Sequence, residues 1–72
     1  PYPLFQHTGS EFIYVLEGAL TYRYGTTTYD LSPGYSLLIH GTVQHGPETL
    51  THLPIRLLSI TLTRSDEAIE MP

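Results

Sequence analysis

The chain has no cysteine and no lysine. Without thiols it has no disulfide to staple a small core and no thiolate to bind a metal. Its only strong cations are Arg23, Arg56 and Arg64, within a formal net charge of −4. Nucleic-acid affinity comes mostly from neutralising phosphates with Lys and Arg. With no basic patch, this segment is not expected to bind DNA or RNA itself. No apolar run approaches the ~20 residues of a membrane helix, and no secretory leader pattern is present. The expectation is a cytoplasmic setting with no membrane partner.

The 72 residues make one domain at most. A core this small rarely supplies more than roughly 3–5 kcal/mol of net stability. Small unstapled domains gain burial from partners, so a homodimer, or a domain cut from a longer chain, is expected. The chain starts at Pro1 with no initiator methionine and ends Glu70-Met71-Pro72, which also suggests a fragment.

What is abundant is β-forming sequence. Val, Ile, Thr, Tyr and Phe recur in short runs, punctuated by turn residues at intervals of about ten. Strands are expected over Glu11–Glu17, Ala19–Tyr24, Thr27–Leu31, Tyr35–His40, Val43–His45, Thr49–Leu53 and Ile55–Thr63. Gly18, Gly46-Pro47 and Pro54 are read as breaks between them, and Gly25-Thr26 and Ser32-Pro33-Gly34 as turns. Both alternating sets of Glu11–Glu17 are largely apolar, which predicts a strand covered on both faces. Residues 1–63 are assigned to one β domain, and the polar, acidic stretch 64–72 to a tail. Many short strands with tight turns indicate an all-β sandwich, barrel or jelly roll.

Three residues carry the chemistry. His7 and Glu11 stand four apart, and His45 follows at a distance, just past Pro33-Gly34 and an apolar run. Two imidazoles and one carboxylate are the donors of a facial triad, which suits non-haem Fe(II) and similar divalent ions. The alternative is a polar pocket without metal, in which Glu11 is paired by a histidine imidazolium, because an unpaired buried carboxylate is costly. His40 is a candidate fourth ligand or proton shuttle, or a turn histidine at a barrel rim. Tyr22 and Tyr24 are candidates for lining a ligand pocket, since aromatic rings with a polar tip suit small-molecule sites. Arg23 is a candidate partner for a ligand carboxylate or for Asp30 across the sheet. No phosphate loop and no Ser-His-Asp order stands out.

The stretch His7 to Gly18 resembles the first cupin motif: Glu11 is followed by six residues and then Gly18. His7 takes the second histidine position, and Phe5 stands at the first. The stretch Gly34 to His45 resembles the second cupin motif, with Gly34 and His45 in register, His40 in place of the usual proline and Thr42 in place of the usual glycine. The resemblance implies a cupin-type jelly roll (double-stranded β-helix), small or truncated at its amino terminus. It also implies a single divalent metal (Fe, Mn, Ni or Zn) on His7, Glu11 and His45. Phe5 cannot ligate, so a four-ligand cupin site is excluded.

Phe5-Gln6-His7, Glu11 to Gly18, Tyr22 to Gly25, Pro33-Gly34, His45 to Glu48 and Leu57 to Ile60 are similar to the carboxy-terminal sensor cupins of XRE-type bacterial transcription regulators. That resemblance implies a domain that senses a small molecule and helps dimerise. DNA would be bound by a helix-turn-helix domain absent from these residues. The alternative is a mononuclear metal-dependent cupin enzyme, an oxygenase, epoxidase or isomerase, using the same two histidines and glutamate.

Overall fold

The computed structural model of the chain describes residues 2–63. Four strands form one antiparallel sheet: β1 Ser10–Tyr24, β2 Thr27–Leu31, β3 Ser36–His40 and β4 His45–Leu62. There is no helix among the described residues. The all-β reading holds; the expected tail over 64–72 lies outside the described residues.

β1 is the central ribbon. β4 runs along its whole length, from Ser10↔Leu62 to Tyr24↔His45. The other flank is shared: β3 pairs with the first part of β1, from Ser10↔His40 to Tyr14↔Ser36, and β2 with the last part, from Leu20↔Leu31 to Tyr24↔Thr27. The two-residue turn Gly25-Thr26 joins β1 to β2 as expected. The Tyr35 N–H donates to the Ser32 carbonyl at 2.9 Å, closing the Ser32-Pro33-Gly34 turn.

Three expected breaks are irregularities inside continuous strands. Gly18 lies within β1 at φ 84°, and a Cβ there would overlap the carbonyl oxygens of Pro54 and His52. The ladder steps from Glu17↔Arg56 to Ala19↔His52, so Pro54 falls in the bulge opposite Gly18, where no ladder N–H is required. A further shift, between Thr21 and Tyr22, brings Pro47 opposite Tyr22. Seven expected strands thus become four, because the glycines and prolines bend paired ribbons instead of ending them.

The core sits on one face. Ile13, Val15, Leu20, Tyr22, Leu31 and Ile39 are buried, with Tyr24, Leu37, Leu50 and Ile55 packed against them. The alternate set on β1 behaves differently from the expected double cover: Phe12 and Tyr14 are half-buried and Leu16 is exposed. The outer face of the sheet is therefore uncovered among the described residues.

The segment before β1 straps the end of the sheet. Phe5 and His45 exchange backbone hydrogen bonds of 2.7 and 3.0 Å. His7 N–H donates to the Gly41 carbonyl at 2.9 Å, and Gly41 N–H to the Gly9 carbonyl at 2.8 Å. These bonds fix the strap that carries His7 against the turn that leads into His45.

Candidate metal centre

Each of the three candidate ligands comes from a different place. His7 is on the strap, Glu11 is the second residue of β1 and His45 is the first residue of β4. Alternation puts Glu11 on the same face as Ile13 and Val15, so its side chain points inward. Glu11 Oε1 lies 2.9 Å from His7 Nε2 and 3.0 Å from His45 Nε2. One donor atom from each of the three residues lies within 4.8 Å of the other two. The imidazoles meet edge to face, with centroids 4.9 Å apart.

The second ring nitrogens settle the tautomers. His7 Nδ1 is 2.9 Å from the Thr8 carbonyl and His45 Nδ1 is 2.8 Å from the Val43 carbonyl. A carbonyl oxygen only accepts, so both Nδ1 atoms carry hydrogen. In the neutral rings, each Nε2 then turns a lone pair toward the same carboxylate oxygen. That arrangement is repulsive unless protons or a cation stand between. Protonating both rings would set two imidazolium charges edge to face, with centroids 4.9 Å apart, and like charges that close repel. A divalent cation receives both lone pairs and the carboxylate at once. Carbonyl oxygens holding the far ring nitrogens are also the usual outer partners of metal-ligating histidines. The residues therefore fit a 2-His-1-carboxylate metal site, with positions left for water or ligand.

Two neighbours complete the site that sequence reading missed. Ser59 on β4 donates its hydroxyl hydrogen bond to Glu11 Oε2, which leaves Oε1 for the imidazoles. Ser59 pairs with Ile13 across the ladder, so it shares the inward face with Glu11. Gly41 packs on the His7 ring so closely that any Cβ would overlap it. No local pattern flags either residue, because both act across the sheet.

Electrostatics follow from these contacts. Burial alone raises the Glu11 carboxyl, but the Ser59 hydroxyl and, where the rings carry protons in the metal-free protein, the imidazoles of His7 and His45 outweigh it and hold the pKa below the usual value. The Thr8 carbonyl first, then Glu11, hold a proton on His7 and raise its pKa despite desolvation. Burial, reinforced by the Glu11 charge, pushes the Tyr22 phenol far above its usual range, so it stays neutral.

The triad opens into a cavity of about 430 Å³, whose walls include Phe5, Ile13, Tyr22, Pro47 and Leu57. Tyr22 stacks on His45 at 6.4 Å and 22°. Phe5 stands 6.5 Å from the His45 ring. Among the other candidates, only Tyr22 lines this cavity. His40 pairs with Ser10 and so lies on the outer face, exposed, beside a different surface recess with Leu38 and Leu62. Tyr24 packs against the core, and its hydroxyl accepts the His40 N–H at 3.2 Å. Arg23 faces Glu48 at 3.5 Å, away from the triad.

A family model described as a cupin domain matches residues 2–61. No curated protein and no solved structure gives a significant match to the chain.

Proposed function

The chain belongs to the cupin domain family, matched over residues 2–61 of 72, and from that premise we propose a small-molecule-binding domain whose ligand docks at a single divalent metal held by His7, Glu11 and His45. One observation carries the reading: both Nδ1 atoms face carbonyls, so both Nε2 lone pairs converge on Glu11 Oε1. A divalent metal (Fe, Mn, Ni or Zn) supplies a Lewis-acidic docking point when bound. The chain's own residues orient it: the Thr8 and Val43 carbonyls fix the rings, and Ser59 fixes the carboxylate.

Within that reading the domain is the sensing and dimerisation part of a cytoplasmic XRE-type bacterial transcription regulator. DNA contact belongs to a helix-turn-helix domain outside these residues. Support comes from the sequence similarity of Phe5-Gln6-His7, Glu11 to Gly18 and His45 to Glu48, and from a net charge of −4 without lysine, which suits a partner of the DNA-binding part and not DNA itself. Ligand binding would shift the population of dimer geometries and so the spacing of the DNA-binding domains. A homodimer is supported by the uncovered sheet face, where Leu16, Leu38, Leu58, Ile60 and Leu62 are 43–68 % exposed. Homodimer interface cores are apolar in this way.

A mononuclear cupin enzyme is the second reading. It is favoured by the count of three protein ligands, which leaves room for substrate and water or O₂. An enzyme should lose turnover in His7→Ala, Glu11→Ala and His45→Ala while keeping its fold; a sensor should show ligand-dependent operator affinity in the intact protein and no turnover.

The deciding experiment is metal content by mass spectrometry of protein purified without chelator or nickel resin, beside Glu11→Ala. About one equivalent in the wild type and almost none in the variant is the expected result. No metal in either, with Fe, Mn, Ni and Zn all leaving the Tm unchanged, would sink the metal-centred reading.

A further inference from the structure

Charge is distributed unevenly around the cavity. The floor holds Glu11 with its two histidines. The rest of the lining is uncharged: Phe5, Ile13, Tyr22 and Leu57 are apolar or aromatic, and Gln6 and Thr61 are neutral, with no arginine and no second carboxylate among the described residues. Arg23 is engaged with Glu48 at 3.5 Å, and Arg56 leans toward Glu17 at 3.8 Å on an exposed part of the sheet; neither lines the cavity. Two of the apolar walls are open to solvent, Phe5 at 53 % and Leu57 at 37 %, so apolar area remains to be covered there. The volume of about 430 Å³ is near the lower end of the roughly 300–1,000 Å³ range of small-molecule sites.

A ligand charge placed against such walls has no partner, and an unpartnered charge taken out of water is costly. At the floor the balance differs. A divalent cation with one carboxylate and two neutral imidazoles leaves one positive charge, which one anionic group neutralises.

We infer that the site takes small monoanions: one oxygen-bearing anionic head at the triad and an uncharged, largely apolar body against Phe5 and Leu57. Dicarboxylates and phosphorylated sugars are disfavoured by their second charge. This inference rests on the metal-centred reading above and specifies its ligand class.

The test is isothermal titration of cobalt-loaded protein with two isosteric 2-hydroxy acids, 2-hydroxy-4-methylpentanoate and malate. They share the same head and differ in an isopropyl group against a carboxylate. The visible spectrum of cobalt reports the triad independently. The expected result is that the monoanion perturbs the spectrum and binds at least ~10-fold tighter than malate, since malate leaves an unpaired charge. Leu57→Arg, which adds a cation to the wall away from Glu11, should raise malate affinity and narrow or reverse the gap. Malate binding as tightly as the monoanion to the unaltered protein, or neither acid binding, overturns the ligand class while leaving the metal site standing. Failure is assigned to the metal site itself if cobalt gives no spectrum that Glu11→Ala abolishes, and the ligand class then falls with it.

Discussion

Gly41 lies directly against the imidazole of His7: a Cβ at position 41 would overlap ring atoms Cε1 and Nδ1. The two backbones are also joined, with the His7 N–H donating to the Gly41 carbonyl at 2.9 Å. The glycine that follows β3 is thus the surface on which a candidate ligand rests. Gly41→Ala should displace the ring and weaken metal binding by about 10–100-fold, the usual cost of disturbing a ligand's support. A competition titration against a coloured chelator measures this, with circular dichroism confirming that the sheet persists. Unchanged affinity would show that His7 does not hold the metal through this ring position.

Ser59 is separated from Glu11 by 48 residues and still supplies the hydrogen bond to Oε2. Removing it leaves that oxygen half-buried without its donor. Ser59→Ala should cost about 10–100-fold in metal affinity, and Ser59→Thr, which keeps the hydroxyl, should recover most of it. Equal affinities in all three proteins would reduce the hydrogen bond to packing.

The titrations of Glu11 and His7 give the metal-free protein a pH window. Glu11 is depressed from 4.5, so its contribution is present above pH 4.5 and is lost as pH falls through its lower folded value. His7 is raised from 6.5, so its contribution is complete below pH 6.5 and is lost as pH rises through its higher folded value. Metal-free Tm should therefore be highest between 4.5 and 6.5 as far as these groups decide it. Zinc needs deprotonated imidazoles, so its added stabilisation should grow as pH rises through the His7 value. Thermal melts across pH, with and without zinc, test both parts; zinc stabilisation that declines over that rise contradicts the site.

The outer face follows from ladder register. Leu38, Phe12 and Ile60 stand in one row, and Ser36, Tyr14 and Leu58 in the next. With Leu62 and Leu16 they form a largely apolar face on the side opposite the cavity, bordered by His40 and Arg56. If this face joins two copies, Ile60→Glu or Leu58→Glu should convert dimer to monomer in sedimentation equilibrium without loss of the metal, since neither residue touches the cavity. A charge-bearing variant that stays dimeric would place the interface elsewhere.

Local pattern made the β class legible, because β-branched and aromatic residues alternate between turn signals that act within a few residues. β2 and the turns on either side of it are where their local residues place them. The segment at Gly18 and the run through Gly46-Pro47 and Pro54 read differently in isolation. Locally these residues terminate strands; beside a long partner they become bulges, since the neighbouring ribbon supplies the ladder on either side.

The same division holds at the site. His7, Glu11 and His45 were visible as residue types at motif spacing, and the inward face of Glu11 follows from alternation with Ile13 and Val15. Tertiary structure decided the tautomers, through the Thr8 and Val43 carbonyls, and recruited Ser59 and Gly41. It also sent His40 to the outer face and Tyr24 into the packing. Sequence by itself determined strand chemistry and the donor atoms on offer, because these depend on composition and short-range spacing. Which donors meet, and what supports them, depended on the register between β1 and β4 and on the strap before β1, and those pairings join residues too far apart for any local pattern to record.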